Sequence, residues 1–192
     1  MSSTSPSSGA TGVAINTAIT ATFSETMDAS TITSSTFTVN GISGTVSYSG
    51  ATASFTPSSS LGYSTTYTAT ITTGVKDMAG NAMASAYSWS FTTGAAPTYM
   101  MGIYVYDVTL NKDFVGATVS ISGCTTTSAT TQITSSNGGT SFAGIPSGST
   151  CTFTASASGY TAYIYQDGVR ADTCTKTNIT VNSGCNLFLV KQ

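Results

Sequence analysis

The sequence predicts an all-β protein of two tandem β-sandwich domains. Three observations carry that prediction. Apolar residues alternate with serine and threonine at period two in one segment after another, which is the pattern of half-buried strands. The segments are short and are separated by regularly spaced Gly, Pro, Asn and Asp turn signals, as in sandwiches. The 192 residues suffice for two domains of about 90–100 residues each. Composition also changes at Thr92-Thr93-Gly94-Ala95-Ala96-Pro97, with no cysteine before that stretch and all four after it. The expected organisation is a disordered or tag-like N-terminus over 1–8, a first domain over 9–94, a linker over 95–98 and a cysteine-bearing domain over 99–192.

Charged residues are only 6% of the chain, against about 25% in typical globular proteins. Serine and threonine, roughly a third of the residues, replace them. Threonine's branched Cβ suits a pleated, half-solvated strand. A net charge of -2 with 10% aromatics argues against disorder beyond the N-terminus. The five basic residues, Lys76, Lys112, Arg170, Lys176 and Lys191, are scattered and form no footprint for a phosphate backbone, so nucleic acid is not an expected partner. No apolar run approaches the roughly 20 residues that span a bilayer, and Met1-Ser2-Ser3-Thr4 does not read as a signal peptide, so the chain reads as a piece of a larger protein. An even cysteine count in such a chain points to an oxidising compartment, hence a secreted or cell-surface protein.

Histidine is absent, which removes Ser-His-Asp and Cys-His machinery and the usual zinc sites. No Gly-rich phosphate loop precedes a helix. A glycosidase pair would need Glu25 with Asp28 or Asp77 in a substrate cleft, and nothing in the sequence argues for one. The expectation is a protein that is not an enzyme and carries no cofactor, with calcium as the one ion to consider.

In the first domain a short strand is expected near 13–15. Inward sets follow: Ile19, Ala21 and Phe23; Phe37 and Val39; Val46 and Tyr48; Ala53 and Phe55; Tyr67, Ala69 and Ile71; Tyr87, Trp89 and Phe91. Asn40-Gly41, Ser49-Gly50, Pro57 and Leu61-Gly62 punctuate them. About seven short strands in a domain of this size make a two-sheet sandwich, with Trp89, the one tryptophan, in its core.

The runs Gly9-Ala10-Thr11-Gly12-Val13-Ala14-Ile15-Asn16-Thr17, Phe23-Ser24-Glu25-Thr26-Met27-Asp28, Phe55-Thr56-Pro57, Leu61-Gly62-Tyr63-Ser64-Thr65-Thr66-Tyr67, Val75-Lys76-Asp77-Met78-Ala79-Gly80-Asn81 and Trp89-Ser90-Phe91-Thr92-Thr93 occur in the order of a known family. The first domain closely resembles the bacterial Ig-like domain of surface-layer and adhesin-type proteins. The resemblance implies an immunoglobulin-like sandwich and an extracellular location; it implies no activity, because fold does not fix function. Immunoglobulin strand order would bring the B–C loop (24–36) and the F–G loop (74–85) to one pole, so that Glu25, Asp28 and Asp77, the acidic residues of this domain, converge there. Calcium takes about six to eight oxygen ligands, and Asn81 could add one. The alternative reading makes Asp28 an N-cap and Asp77 to Asn81 a turn in which Gly80 supplies a positive φ. The same strand order has the chain enter near that pole and leave at the opposite one, as modules strung end to end do.

In the second domain Ile103 and Val105 oppose Tyr104 and Tyr106, and a turn over 107–114 follows. Ala117, Val119 and Ile121 form a buried face before Gly123-Cys124. Asn137-Gly138-Gly139 is a hairpin signal. Phe153, Ala155 and Ala157 point inward on a strand from Cys151, closed by Gly159-Tyr160. Together with Val115-Gly116-Ala117-Thr118-Val119 and Ile145-Pro146-Ser147-Gly148, this stretch resembles the carboxypeptidase regulatory-like, prealbumin-type sandwich over 104–160, and the segment 161–174 reads as an insertion. Four cysteines allow three connectivities, and the absence of Cys-x-x-Cys spacing disfavours metal binding. The resemblance implies pairing of Cys124 with Cys151 and, with it, of Cys174 with Cys185.

Tyr163 and Tyr165 alternate with Ile164 beside Gln166-Asp167-Gly168. Rings next to amide and carboxylate groups suit a sugar; core or inter-domain packing is the alternative. The sequence thus predicts a non-catalytic extracellular structural or adhesive segment, partnered by neighbouring modules of the same or a like chain. The second reading is a carbohydrate-binding accessory of a secreted enzyme, gripping a cell-surface glycan through Tyr163, Tyr165 and Asp167.

Overall fold

A computed structural model describes residues 1–126, 128–166, 169–171, 173–176, 179 and 183–191, and among these the side chains of all but 162–166, 169–171, 183 and 188–191. The chain is all-β and falls into two compact units, Met1–Ala95 and Ala96–Gln192.

The first unit is a sandwich of seven strands: β1 (Ser3–Ser5), β2 (Ile19–Thr22), β3 (Phe37–Val39), β4 (Gly44–Ser49), β5 (Thr52–Pro57), β6 (Thr66–Ile71) and β7 (Tyr87–Thr92). One sheet has the order β1-β2-β5-β4 and the other β3-β6-β7. Alternation does the building. Ile19 and Ala21 lie opposite Phe55 and Ala53, Phe37 lies opposite Ile71, and Ala69 and Tyr67 lie opposite Trp89 and Phe91. All of them are buried. Phe37 sits 5.8 Å from Phe55 and 6.0 Å from Trp89, ring centre to ring centre, which joins the sheets through aromatic contacts. Each such large buried side chain stabilises the unit by about 1.5–3 kcal/mol. The Trp89 indole N–H finds no acceptor among the described residues.

The outward faces are held by hydroxyl pairs. Thr66–Thr92, Thr68–Ser90 and Thr70–Ser88 form three successive 2.9 Å rungs between β6 and β7. Thr22–Thr52 adds another between β2 and β5. This is where the threonine and serine of the composition go: each rung is a cross-strand pair that stabilises its ladder.

Three expectations for this unit are corrected. Residues 1–8 are not a disordered tag. Ser3, Thr4 and Ser5 pair with Thr22, Ala21 and Thr20, Pro6 is buried and Met1 packs against the core. A strand without apolar side chains has no period-two signal to read. The first strand is accordingly β1, whereas 13–15 contributes only the parallel bridge of Val13 to Thr93. Tyr87 is 37% exposed rather than inward, because it stands at the open start of β7.

The second unit contains β8 (Thr98–Asp107), β9 (Lys112–Asp113), β10 (Thr118–Ser122), β11 (Thr131–Ile133), β12 (Gly139–Pro146), β13 (Cys151–Ser156), β14 (Tyr160–Gln166), β15 (Val169–Ala171), β16 (Cys174–Lys176) and β17 (Ser183–Lys191). One sheet runs β11-β10-β13-β16; the other runs β12-β8-β17-β14-β15, with β9 on β8. The core between them is Met101, Ile103, Val105, Val119, Ile121, Phe142, Phe153 and Leu187, with their neighbours.

Two readings of this unit are corrected as well. Asn137-Gly138-Gly139 does not close a hairpin, since β11 and β12 belong to different sheets. The turn carries the chain from one sheet to the other, and Gly138 is required there twice over: its φ is +69°, and a Cβ would lie 2.6 Å from the Val105 carbonyl oxygen. The segment 161–174 is not an insertion. β14 pairs with β17 from Tyr160↔Lys191 to Tyr163↔Phe188, and β16 extends the opposite sheet along β13. The end of the prealbumin-like pattern hid strands that the fold needs.

Candidate functional site

The acidic pole of the first unit is built by two loops. Met27 bridges Asp77 and Asp28 N–H donates to the Lys76 carbonyl at 2.9 Å, so the segments carrying Asp28 and Asp77 are indeed adjacent. The carboxylates, however, are engaged locally. Asp28 caps a single 3-10 turn at Ala29–Thr31, its Oδ1 accepting from Ser30 N–H at 2.9 Å and Ser30 Oγ at 2.7 Å. Asp77 Oδ1 accepts from Ala79 and Asn81 N–H, each at 2.8 Å, and its Oδ2 from Asn81 Nδ2, also at 2.8 Å. Gly80, with φ +87°, makes that turn possible. The Ser30 hydroxyl, then its N–H, holds the Asp28 carboxyl below its ordinary value. The Asn81 amide, then its N–H, does the same for Asp77.

Glu25 is exposed. Among the described residues no group of three or more His, Cys, Asp or Glu could hold a metal ion. Of the four residues considered for calcium, Glu25, Asp28, Asp77 and Asn81, the structure brings the loops of Asp28 and Asp77 together, while both carboxylates accept from their own turns and Asn81 Nδ2 donates to Asp77.

The four cysteines form Cys124–Cys151 and Cys174–Cys185, with Cα atoms 5.2 and 6.4 Å apart. The first closes the end of the β10–β13 ladder, just past the pair Ser122↔Thr152. The second joins β16 in one sheet to β17 in the other.

Tyr163 and Tyr165 lie on β14, their backbones opposite Phe188 and Arg170. Their side chains, and Asp167 altogether, lie outside the described residues. Sequence reasoning missed Asp107. It is 2% exposed, accepts from Thr109 and Leu110 N–H at 2.9 and 3.0 Å, and takes the Tyr160 hydroxyl at 3.1 Å. Its signal was an Asx turn, Asp107-Val108-Thr109, at a strand end. An open cleft of about 200 Å³ beside it is lined by Leu110, Lys112, Asp113, Phe114 and Val115.

No curated protein matches the chain. Among solved structures it is similar to a pilus-presented adhesin (13% identity, 53% of this chain and 30% of that one, TM-score 0.36). It is also similar to BcpA, the major pilin subunit of Bacillus cereus (10% identity, 96% and 67%, TM-score 0.39). A third likeness is to the Bacillus anthracis TIE protein (11% identity, 98% and 40%, TM-score 0.49). The chain thus spans 30% of the adhesin's length and 40% of the TIE protein's. At the level of sequence, the model of the bacterial Ig-like domain family matches residues 1–93. That stretch coincides with the seven-strand sandwich just described, and the first unit of the chain is a bacterial Ig-like domain.

Proposed function

We propose that the chain is a non-catalytic structural segment of a bacterial extracellular protein, a spacer or display module whose partners are neighbouring modules of the same or a like chain. The observation that carries this reading is the use the fold makes of its polar groups. Hydroxyls pair across strands, and Asp28, Asp77 and Asp107 bind the backbone of their own turns. Polar chemistry is invested in holding the sandwiches rather than presented to a substrate. Two disulfides, Cys124–Cys151 and Cys174–Cys185, support an oxidising, extracellular setting, and the family of the first unit supports it independently.

A glycan array probed with the whole chain tests the reading. The structural segment is expected to retain no glycan above background. Retention that is abolished by Tyr165→Ala, in a variant that melts like the parent, would overturn it in favour of a carbohydrate-binding accessory.

A further inference from the structure

In the second unit the first and last long strands of the chain run parallel, side by side. Strands β8 and β17 pair over seven registers, from Ser183↔Met101 to Leu189↔Asp107. The first unit differs: its first strand, β1, is antiparallel to β2 in the other sheet, and it is the segment after β1, 9–13, that runs along the end of β7. Gly9 N–H donates to the Ser90 carbonyl at 2.7 Å, Thr92 N–H to that of Ala10 at 2.7 Å, Val13 N–H to that of Thr92 at 3.2 Å and Gly94 N–H to that of Val13 at 2.9 Å.

Parallel pairing has a mechanical consequence. The start of the first strand and the finish of the last lie at opposite ends of their shared ladder. Tension applied along the chain therefore acts along the strands and across the hydrogen bonds, so that all rungs must slide together. Two antiparallel neighbours pulled from their shared end would instead unzip, breaking their rungs in succession.

We propose that the second unit is a tension-bearing link that resists extension through a shear ladder between its first and last strands, β8 and β17. β8 and β17 are interior strands, flanked by β12 and β14. Met101, Ile103, Val105 and Leu187 bury one face of the ladder, which excludes water from that side of the rungs and strengthens them. Cys185, opposite Ile103 in the ladder, is bonded to Cys174 on the facing sheet, so β17 cannot slide without drawing on the other sheet. Gly184 lies opposite Gly102, and a Cβ on Gly184 would stand 2.7 Å from the Gly102 carbonyl oxygen. Close approach of the two strands depends on that glycine.

This inference rests on the structural reading above for its biological meaning, but its test is separate, since a glycan result and a force result can fail independently. Single-molecule force spectroscopy on the full oxidised chain would compare two pulling geometries. With attachment at the termini, the second unit's ladder is sheared. With attachment at Ala95 and Ser149, β12 is peeled from β8 starting at the pair Thr98↔Pro146. The expected result is a rupture force several-fold higher end to end than by peeling. Gly184→Ala should lower the end-to-end force of the second unit, whereas Val119→Ala, on the opposite sheet, should lower thermal stability with little change in force. Equal forces in the two geometries would overturn the proposal, as would a force that follows thermal stability alone across the two variants. If Gly184→Ala does not fold, the comparison of geometries in the unaltered sequence decides.

Discussion

Tyr160 donates a hydrogen bond of 3.1 Å to Asp107 Oδ2 across 53 residues of sequence, tying the start of β14 to the end of β8. Asp107 is at the same time the acceptor for two backbone N–H groups of the turn that follows it. Asp107→Ala would leave those donors without their acceptor, at a cost of about 1–3 kcal/mol each where they stay dry. A lowered urea midpoint at unchanged slope is the expected outcome, and Tyr160→Phe, which leaves the turn intact, should cost less.

The same pair sets a limit at alkaline pH. Desolvation first, then the hydrogen bond and charge of Asp107, push the Tyr160 hydroxyl above its ordinary value of 10.0. A group whose folded pKa is raised contributes stability that is complete below the unfolded value and lost as pH rises through the folded one. Melting temperature is therefore expected to fall above about pH 10, and ultraviolet titration should show one tyrosine ionising later than most. In Asp107→Asn that late phase should move to lower pH.

At the acid side the sign is opposite. Asp77 is held below its ordinary value of 3.8 by the Asn81 amide and N–H, so its contribution is present above that value and lost as pH falls through the lowered one. Acid titration of the melting temperature should show a decline beginning near pH 4. Asn81→Ala should make the decline shallower, because it removes the largest cause of the shift. Added calcium is expected to leave the melting temperature unchanged, and a calcium-dependent rise would mark the acidic pole as a metal site.

The disulfides predict how far the second unit can be stretched. Cys124–Cys151 and Cys174–Cys185 enclose 27 and 11 residues of sequence separation. At roughly 3.5 Å per residue of extended chain, reducing both should add about 130 Å to the contour released on unfolding. The same force measurements, made with and without reductant, check this directly.

The unpartnered indole of Trp89 bears on the first unit's core. Trp89→Phe loses ring volume but also removes a buried donor that finds no acceptor among the described residues. Its cost should be smaller than that of Phe91→Ala, for which about 3–5 kcal/mol is expected. Paired urea denaturation curves would show it.

Where side chains alternate, the strands could be read: Ile19 with Ala21, Phe37 with Val39, and Phe153 with Ala155 each announced a buried face. Where they do not, reading failed for a physical reason. β1 contributes hydrogen bonds and no apolar face, so Ser3, Thr4 and Ser5 looked like a tail. Turn residues told that the chain reverses at Asn137-Gly138, yet nothing local says which sheet receives the next strand. The adjacency of Asp28 and Asp77 followed from strand order, but whether two carboxylates face each other or their own backbone depends on side-chain direction, which Ser30 and Asn81 decide. Asp107 escaped notice because its main side-chain partner, Tyr160, lies far along the chain.

The hydroxyl rungs on the outer faces have a consequence for where such a protein can work. A rung such as Thr68–Ser90 joins two uncharged groups, and dissolved ions have no charge there to screen. With so few ionic groups in the chain, the grip of one strand on the next should be much the same in fresh water, brine or a mildly acidic medium. A molecule built this way keeps its shape without any control over its surroundings, which is the situation of anything that operates beyond the cell envelope.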